Sequence, residues 1–357
     1  MYGKAFAPEY QGELGSVLGV NSSYDEVLAT ARHARRNAVS ALDRARASLA
    51  LAEANRRLGR VADAGDSWRD SYRSARQARD RGAMAWALWS GGTLARQCGT
   101  LPLARRLLSS AVELAAESGD RLAHGYSLAG LAETGRIQGD YEAVAETHEQ
   151  LLAQARAHGE SRHMVWAMSG IAQMHRNTGA YDKALELFEE SARIAEAADD
   201  ARGRAWSLRG IADVVSVQGD SERALALLSD AETICRDMDL AGALAYNHKM
   251  RGNVLFRAAR YEDACVAYAL SLREFRDMNE PRGTALSRLG LIKSRSRHGH
   301  GHVDGHAPDA TLAELAELEA EFKRIGLRHA RQAVVAFRAE LTEIAGVRTA
   351  GWHRSSH

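Results

Sequence analysis

Residues 171–195 read IAQMHRNTGAYDKALELFEESARIA. Before the glycine, Val165, Met168, Ile171, Ala172 and Met174 recur at helical spacing and build one apolar face. Gly179 readily takes the left-handed conformation that ends a helix. After Tyr181, the residues Ala184, Leu185, Leu187, Phe188, Ala192, Ile194 and Ala195 mark a second amphipathic helix. Asp199 and Asp200 close the unit and can cap the helix that follows. The stretch predicts a helix-turn-helix hairpin in which neither helix alone buries its apolar face.

The hairpin recurs with a period of 40 residues. Trp86, Tyr126, Trp166, Trp206 and Tyr246 fall on one register, with Leu286 at the sixth position. A second register reads Ser90, Gly130, Gly170, Gly210, Met250 and Gly290. A third reads Gly59, Gly99, Gly139, Gly179, Gly219, Ala259 and Gly299. Ala104, Ala184, Ala224 and Ala264 mark where paired helices approach closely, with Val144 as the exception. A period held without slippage means stacked copies of one supersecondary unit, each packed on its neighbours. The fold expected is an all-α solenoid of about six hairpins plus capping helices.

The tract above, with its Ala172, Gly179, Tyr181 and Ala184, resembles the tetratricopeptide repeat family. LAETGRIQGDYEAV, residues 131–144, repeats the pattern with Ala132, Gly139 and Tyr141. The unit is similar to the longer variants of that family. The resemblance covers roughly residues 40–300 and implies a right-handed superhelix whose first helices line a concave groove. It further implies that a peptide or a partner protein binds there.

The ends depart from the period. Residues 1–22 hold Gly3, Gly12, Gly15 and Gly19 with little periodicity and are expected to be an irregular lead-in. The solenoid is expected over 23–297, beginning with a lone second-type helix at 23–37 and a first-type helix at 39–58. A His/Gly-rich loop follows at 298–309, then capping helices over 310–345 and a flexible tail over 346–357.

The 47 basic and 46 acidic residues nearly cancel, which argues against a nucleic-acid binder relying on counterion release. Arg32, Arg35 and Arg36 cluster locally, but Asp25 and Glu26 sit close by, as on a solvated helix face. The three cysteines, Cys98, Cys235 and Cys265, are scattered, so a reduced, cytoplasmic setting is expected. No apolar run approaches ~20 residues, and no membrane span is expected. The opening Met1-Tyr2-Gly3-Lys4 lacks a secretory-leader pattern.

The concave face is the main candidate site. Seven residues beyond the aromatics, two helical turns on and on the same face, the chain carries Thr93, Glu133, Gln173, Asp213 and Asn253, all polar. Ten beyond them lie Arg96, Arg136 and Arg176, and three beyond them Trp89, Ala129, Ser169, Arg209 and Lys249. Aromatic rings offer rigid contact area, and arginines capture carboxylate or phosphate through paired donors. The structural alternative is that the rings pack between repeats and the polar column forms hydrogen-bond ladders.

Two occupants of this groove are compared: a peptide or partner protein, and a small molecule bound by a sensor or an atypical enzyme. An open trough favours the first, and an enclosed pocket of a few hundred Å3 the second. Self-association through the end repeats is a third reading. As acid or base, Glu133 and Asp213 are the only candidates, two repeats apart. Glu133 is expected to pair with Arg136 or Arg176, and Asp213 with Arg209. No phosphate loop, dinucleotide fingerprint, HExxH or GxSxG pattern is present. No cofactor is expected. His298, His300, His302 and His306, with Asp304, form a set able to ligate zinc, copper or nickel. A low-complexity stretch that picks up a divalent metal adventitiously has the same composition.

Overall fold

The computed structural model describes residues 24–299 and 308–354, which form sixteen helices and no strand. A lone helix, α1 (Tyr24–Arg36), precedes six hairpins. These are α2 (Ala41–Arg57) with α3 (Val61–Ala78), α4 (Arg81–Gln97) with α5 (Leu101–Ser118), and α6 (Arg121–Gln138) with α7 (Tyr141–His158). Next come α8 (Ser161–Asn177) with α9 (Tyr181–Ala197), α10 (Ala201–Val217) with α11 (Ser221–Asp237), and α12 (Ala241–Arg257) with α13 (Tyr261–Asp277). A last first-type helix, α14 (Pro281–Gly299), leads to the capping pair α15 (Pro308–Ile325) and α16 (Arg328–Arg354). The final helix thus runs nine residues past 345, into the expected tail. The expected lead-in at 1–22, and His300, His302 and His306 of the His/Gly-rich loop, lie outside the described residues.

Local chemistry sets the hairpin boundaries. Asp80, Asp120, Asp200 and Asp220 each accept the backbone N–H three residues on, satisfying a donor at the start of the next helix. At the turn inside each hairpin, Gly59, Gly99, Gly139, Gly179 and Gly219 hold positive φ, and Ala259 does so at 56°. On the second helices, Asp182, Lys183, Glu186, Arg193 and Glu196 face solvent while Ala184, Phe188 and Ile194 are buried.

The glycine register inside the first helices has a packing cause. Four of the second helices carry a bulky side chain that enters the next repeat: Leu108 over Gly130, His148 over Gly170, Phe188 over Gly210 and Tyr268 over Gly290. A Cβ at Gly130 would lie 2.9 Å from Leu108, inside contact distance. Successive first helices also touch one another, from α2 with α4 through α12 with α14, whereas no comparably extensive contact joins successive second helices. The first helices therefore lie on the shorter, inner circumference.

The curl completes a turn. Met278, after α13, packs on Gly59, and Ile325, at the end of α15, packs on Gly99. His329 lies against Gly139 and stacks on Tyr141 with ring centroids 5.2 Å apart. Two apolar clusters line this seam. One joins α1 and α2 to α10 and α11 through Leu28, Leu51, Ala205 and Cys235. The other joins Leu101 and Ile137 to the C-terminal helices through Phe322, Ile325 and Leu327. No described helix is long and apolar enough to cross a membrane.

Candidate functional site

The curl borders a partly open lumen of about 370 Å3. One wall comes from the C-terminal ends of α2, α4 and α6, which supply Arg56, Arg57, Arg96 and Arg136. The facing wall comes from the N-terminal halves of α10, α12 and α14, which supply Arg202, Trp206, Arg209, Tyr246 and Arg282. Between them lie Trp89 and Thr93 of α4, Tyr126 and Glu133 of α6, Trp166 and Gln173 of α8, and His148 of α7. The site is a seam between two turns of one solenoid.

The aromatic register divides. Trp86 is buried, donates Nε1–H to Asp120 at 2.9 Å and packs edge-on against Trp89 at 5.4 Å, outside the lumen wall. Trp89 and Tyr126 are packed against each other at 5.3 Å and still present an edge to the lumen. Trp166, Trp206 and Tyr246 are half-buried and line it. The Arg209 guanidinium lies 5.6 Å from the Trp206 ring centroid and 5.8 Å from that of Tyr246. The rings thus face both each other and the lumen.

The polar column divides as well. Thr93, Glu133 and Gln173 line the lumen, as do Arg96, Arg136 and Arg209. Arg176, Asp213, Lys249 and Asn253 lie outside its wall. Asp213 is held between Arg176 at 3.0 Å and Arg257 at 2.8 Å, not by Arg209, which is turned onto the rings and the Ala243 carbonyl. Asn253 accepts the Tyr268 hydroxyl at 2.7 Å. Burial pushes the Lys249 amine down to about 8 despite the Asp213 charge. Glu133 pairs with Arg136 through two bonds of 2.7 Å. Burial alone would raise the Glu133 carboxyl, yet Arg136, Arg96 and Arg282 hold it at about 2. A carboxylate held so firmly ionised is no proton carrier near neutral pH.

Charge in the lumen is lopsided. Seven arginines line it, against Glu133 and Glu280 in the wall and Glu53 behind Arg56 at 2.7 Å. Arg282 reaches Glu280 at 3.6 Å and the Tyr246 hydroxyl at 2.9 Å. Burial and neighbouring guanidinium groups push both Arg96 and Arg202 down to about 10, still protonated at neutral pH. Several buried polar atoms of the wall lack a hydrogen-bond partner, namely Thr93 Oγ1, both ring nitrogens of His148, and Nε and Nη1 of Arg57. Burial pushes the His148 imidazole down to about 4.

Sequence reasoning passed over Tyr24, Arg56, Arg57, His148, Arg202, Glu280 and Arg282. Two signals were present. Arg162, Arg202 and Arg282 share one register at the second position of their helices, and His148 interrupts the register of Leu108, Phe188 and Leu228. His298 lies in the last turn of α14, and no described residues form a group of three or more metal-ligating side chains.

Residues 163–237 match the family model described as the tetratricopeptide repeat. The solenoid is built of tetratricopeptide-like hairpins. No curated protein matches the sequence. Among solved structures, this tetratricopeptide solenoid is similar to a Rap protein complexed with competence and sporulation factor. The identity is 13% and the TM-score 0.61, over 90% of this chain and 93% of that one. It is also similar to NprR in complex with its cognate peptide NprX, at 13% identity and a TM-score of 0.58, over 82% and 84% of the two chains. A third is the Rap conjugation gene regulator of the plasmid pLS20 in complex with the Phr* peptide, at 13% identity and a TM-score of 0.58, over 83% and 76%. At this identity the likeness is one of fold.

Proposed function

We propose that this chain is a cytoplasmic receptor for a short acidic peptide, bound in the lumen between the two turns of the tetratricopeptide solenoid. The observation that carries the reading is the excess of guanidinium groups in a partly open, aromatic-walled space. Like charges packed this closely favour an anionic occupant, because each guanidinium forms strong charge-assisted bonds to carboxylate. Trp166 and Trp206 add flat apolar contact area. Support comes also from the similar folds of NprR and the Rap conjugation regulator, which were each solved with a peptide. In this reading the protein acts by binding, and no bond is made or broken.

Tryptophan fluorescence tests it, since Trp89, Trp166 and Trp206 report on the lumen. Acidic pentapeptides should change the emission, with affinity falling as salt rises. Equal binding of basic peptides of the same length would overturn the reading. A compact anionic small molecule is the second reading, favoured by the volume of about 370 Å3, near the lower end of small-ligand pockets. Native mass spectrometry of the purified protein separates the two by the mass of what is retained.

A further inference from the structure

Lysine is scarce in this chain. Lys4, Lys183, Lys249, Lys293 and Lys323 stand among 47 basic residues, the rest being arginine. Lys249 alone of these falls on the register that reads Trp89, Ala129, Ser169 and Arg209, all four of which line the lumen. It is half-buried on the inner face of α12, just beyond the lumen wall. An arginine does not shed its proton, whereas a lysine amine can, and the free amine is a nucleophile.

This amine sits among guanidinium groups. Tyr246 lies one helical turn before Lys249 on the same face. Its ring centroid has the Arg209 guanidinium at 5.8 Å and the Arg282 guanidinium at 5.2 Å. Asp213 is the acid whose charge acts on Lys249. Both its oxygens are already taken, by Arg176 at 3.0 and 3.1 Å and by Arg257 at 2.8 Å. Among the described residues, Lys249 makes no hydrogen bond or ion pair. Burial, helped by Arg209, Arg282 and Arg176, brings the amine down to about 8 despite Asp213. Near neutral pH the free base is then on the order of a hundredfold more abundant than for an ordinary lysine at about 10.4.

These surroundings discriminate among electrophiles. A Schiff base is again a cation once protonated, and an acyl group leaves a neutral amide. Carbon dioxide turns the amine into a carbamate anion, which guanidinium groups answer with charge-assisted bonds. We propose that Lys249 is a carbon dioxide-binding lysine whose carbamate is held by Arg209, bridging α12 to α10. The Nζ lone pair attacks the carbon of carbon dioxide and an N–C bond forms. One C=O electron pair moves onto oxygen, and the nitrogen proton passes to water. Nothing in this step depends on a peptide in the lumen.

Trapping with triethyloxonium in isotope-labelled bicarbonate, followed by peptide mass spectrometry, tests it on the full chain. At about pH 7.5, label is expected on Lys249 about tenfold or more above the exposed Lys183 and Lys323. Mapping separates Lys249 from the α-amine of the chain, which ordinarily titrates near 8. Arg209→Gln is expected to lower the trapped fraction on Lys249 several-fold, because the carbamate loses its partner. Label absent from Lys249, or equal on Lys183 and Lys323, overturns the proposal. An unchanged fraction in Arg209→Gln overturns the assigned partner. If that variant does not fold, the map of the unaltered chain decides alone.

Discussion

Gly59 and Met278 touch, although between five and six repeat units separate them in sequence. A Cβ built at Gly59 would lie 2.8 Å from Met278 Cγ and 3.0 Å from its Cα. Only a glycine lets the two turns of the superhelix meet at this point, and its φ of +74° makes a side chain there doubly unfavourable.

Gly59→Ala should therefore destabilise by about 2–3 kcal/mol, combining left-handed strain with displacement of Met278. Gly179→Ala is the control. It has the same role in its turn, with φ of +83°, but nothing lies within 4 Å of the added methyl. Its loss should be about 1 kcal/mol. Urea unfolding compares them, and equal losses would mean that the seam does not close in solution.

Glu133 should carry much of the acid sensitivity of the lumen. Its folded-state value of about 2 lies below an unfolded value of about 4.3. A depressed carboxyl stabilises fully above the unfolded value, and that contribution is lost as pH falls from about 4.5 toward 2. Glu133→Gln should cost about 3 kcal/mol at pH 7, since it strands Arg136 and Arg96. Stability measured against pH should also lose its slope in that window. An unchanged acid limb would count against the Glu133–Arg136 pair.

His148 should act in the same direction, in a higher pH window. Its imidazole, at about 4 when folded, binds a proton more weakly than in the unfolded chain, at about 6.5. The unfolded state therefore gains protons first, and stability falls as pH drops from about 6.5 to about 4. Leu108 and Leu228 show that leucine fits this register. His148→Leu should keep the fold and flatten stability across that window. Parallel pH profiles for the two proteins would refute the buried neutral imidazole.

Trp86 and Trp206 share a register but should respond differently to truncation. Trp86→Ala removes a buried ring and leaves Asp120 without its indole donor, a loss of about 3–5 kcal/mol. Trp206→Ala, on the lumen, should cost about 1–2 kcal/mol while weakening peptide binding about tenfold through lost ring contact. Thermal unfolding and calorimetric titration together separate the two. Equal stability losses would erase the distinction between packed and lining rings.

The hairpins were legible because their causes are local. Gly179 needs its left-handed turn, Asp200 caps the helix after it, and the apolar spacing of 162–195 has one helical solution. The inward face was legible too: Thr93, Glu133 and Gln173 line the lumen. What escaped is set by the pitch of the whole curl, the accumulated result of crossing angles at every interface. That pitch brings Arg202 to Arg57 and Arg282 to Arg96 and Arg136, residues more than a hundred positions apart. It also leaves Asp213 and Asn253 off the lumen, in pairings with Arg257 and Tyr268. No period in the sequence encodes which rim meets which.

The seam also makes the array countable. In an open solenoid, a unit can be added or deleted with little effect beyond its two neighbours. Here, removing one hairpin would keep every local interface intact and slide Gly59 away from Met278 and Gly99 away from Ile325. The number of repeats is therefore under geometric control, and natural length variation in such a chain should fall in whole turns or at its two ends.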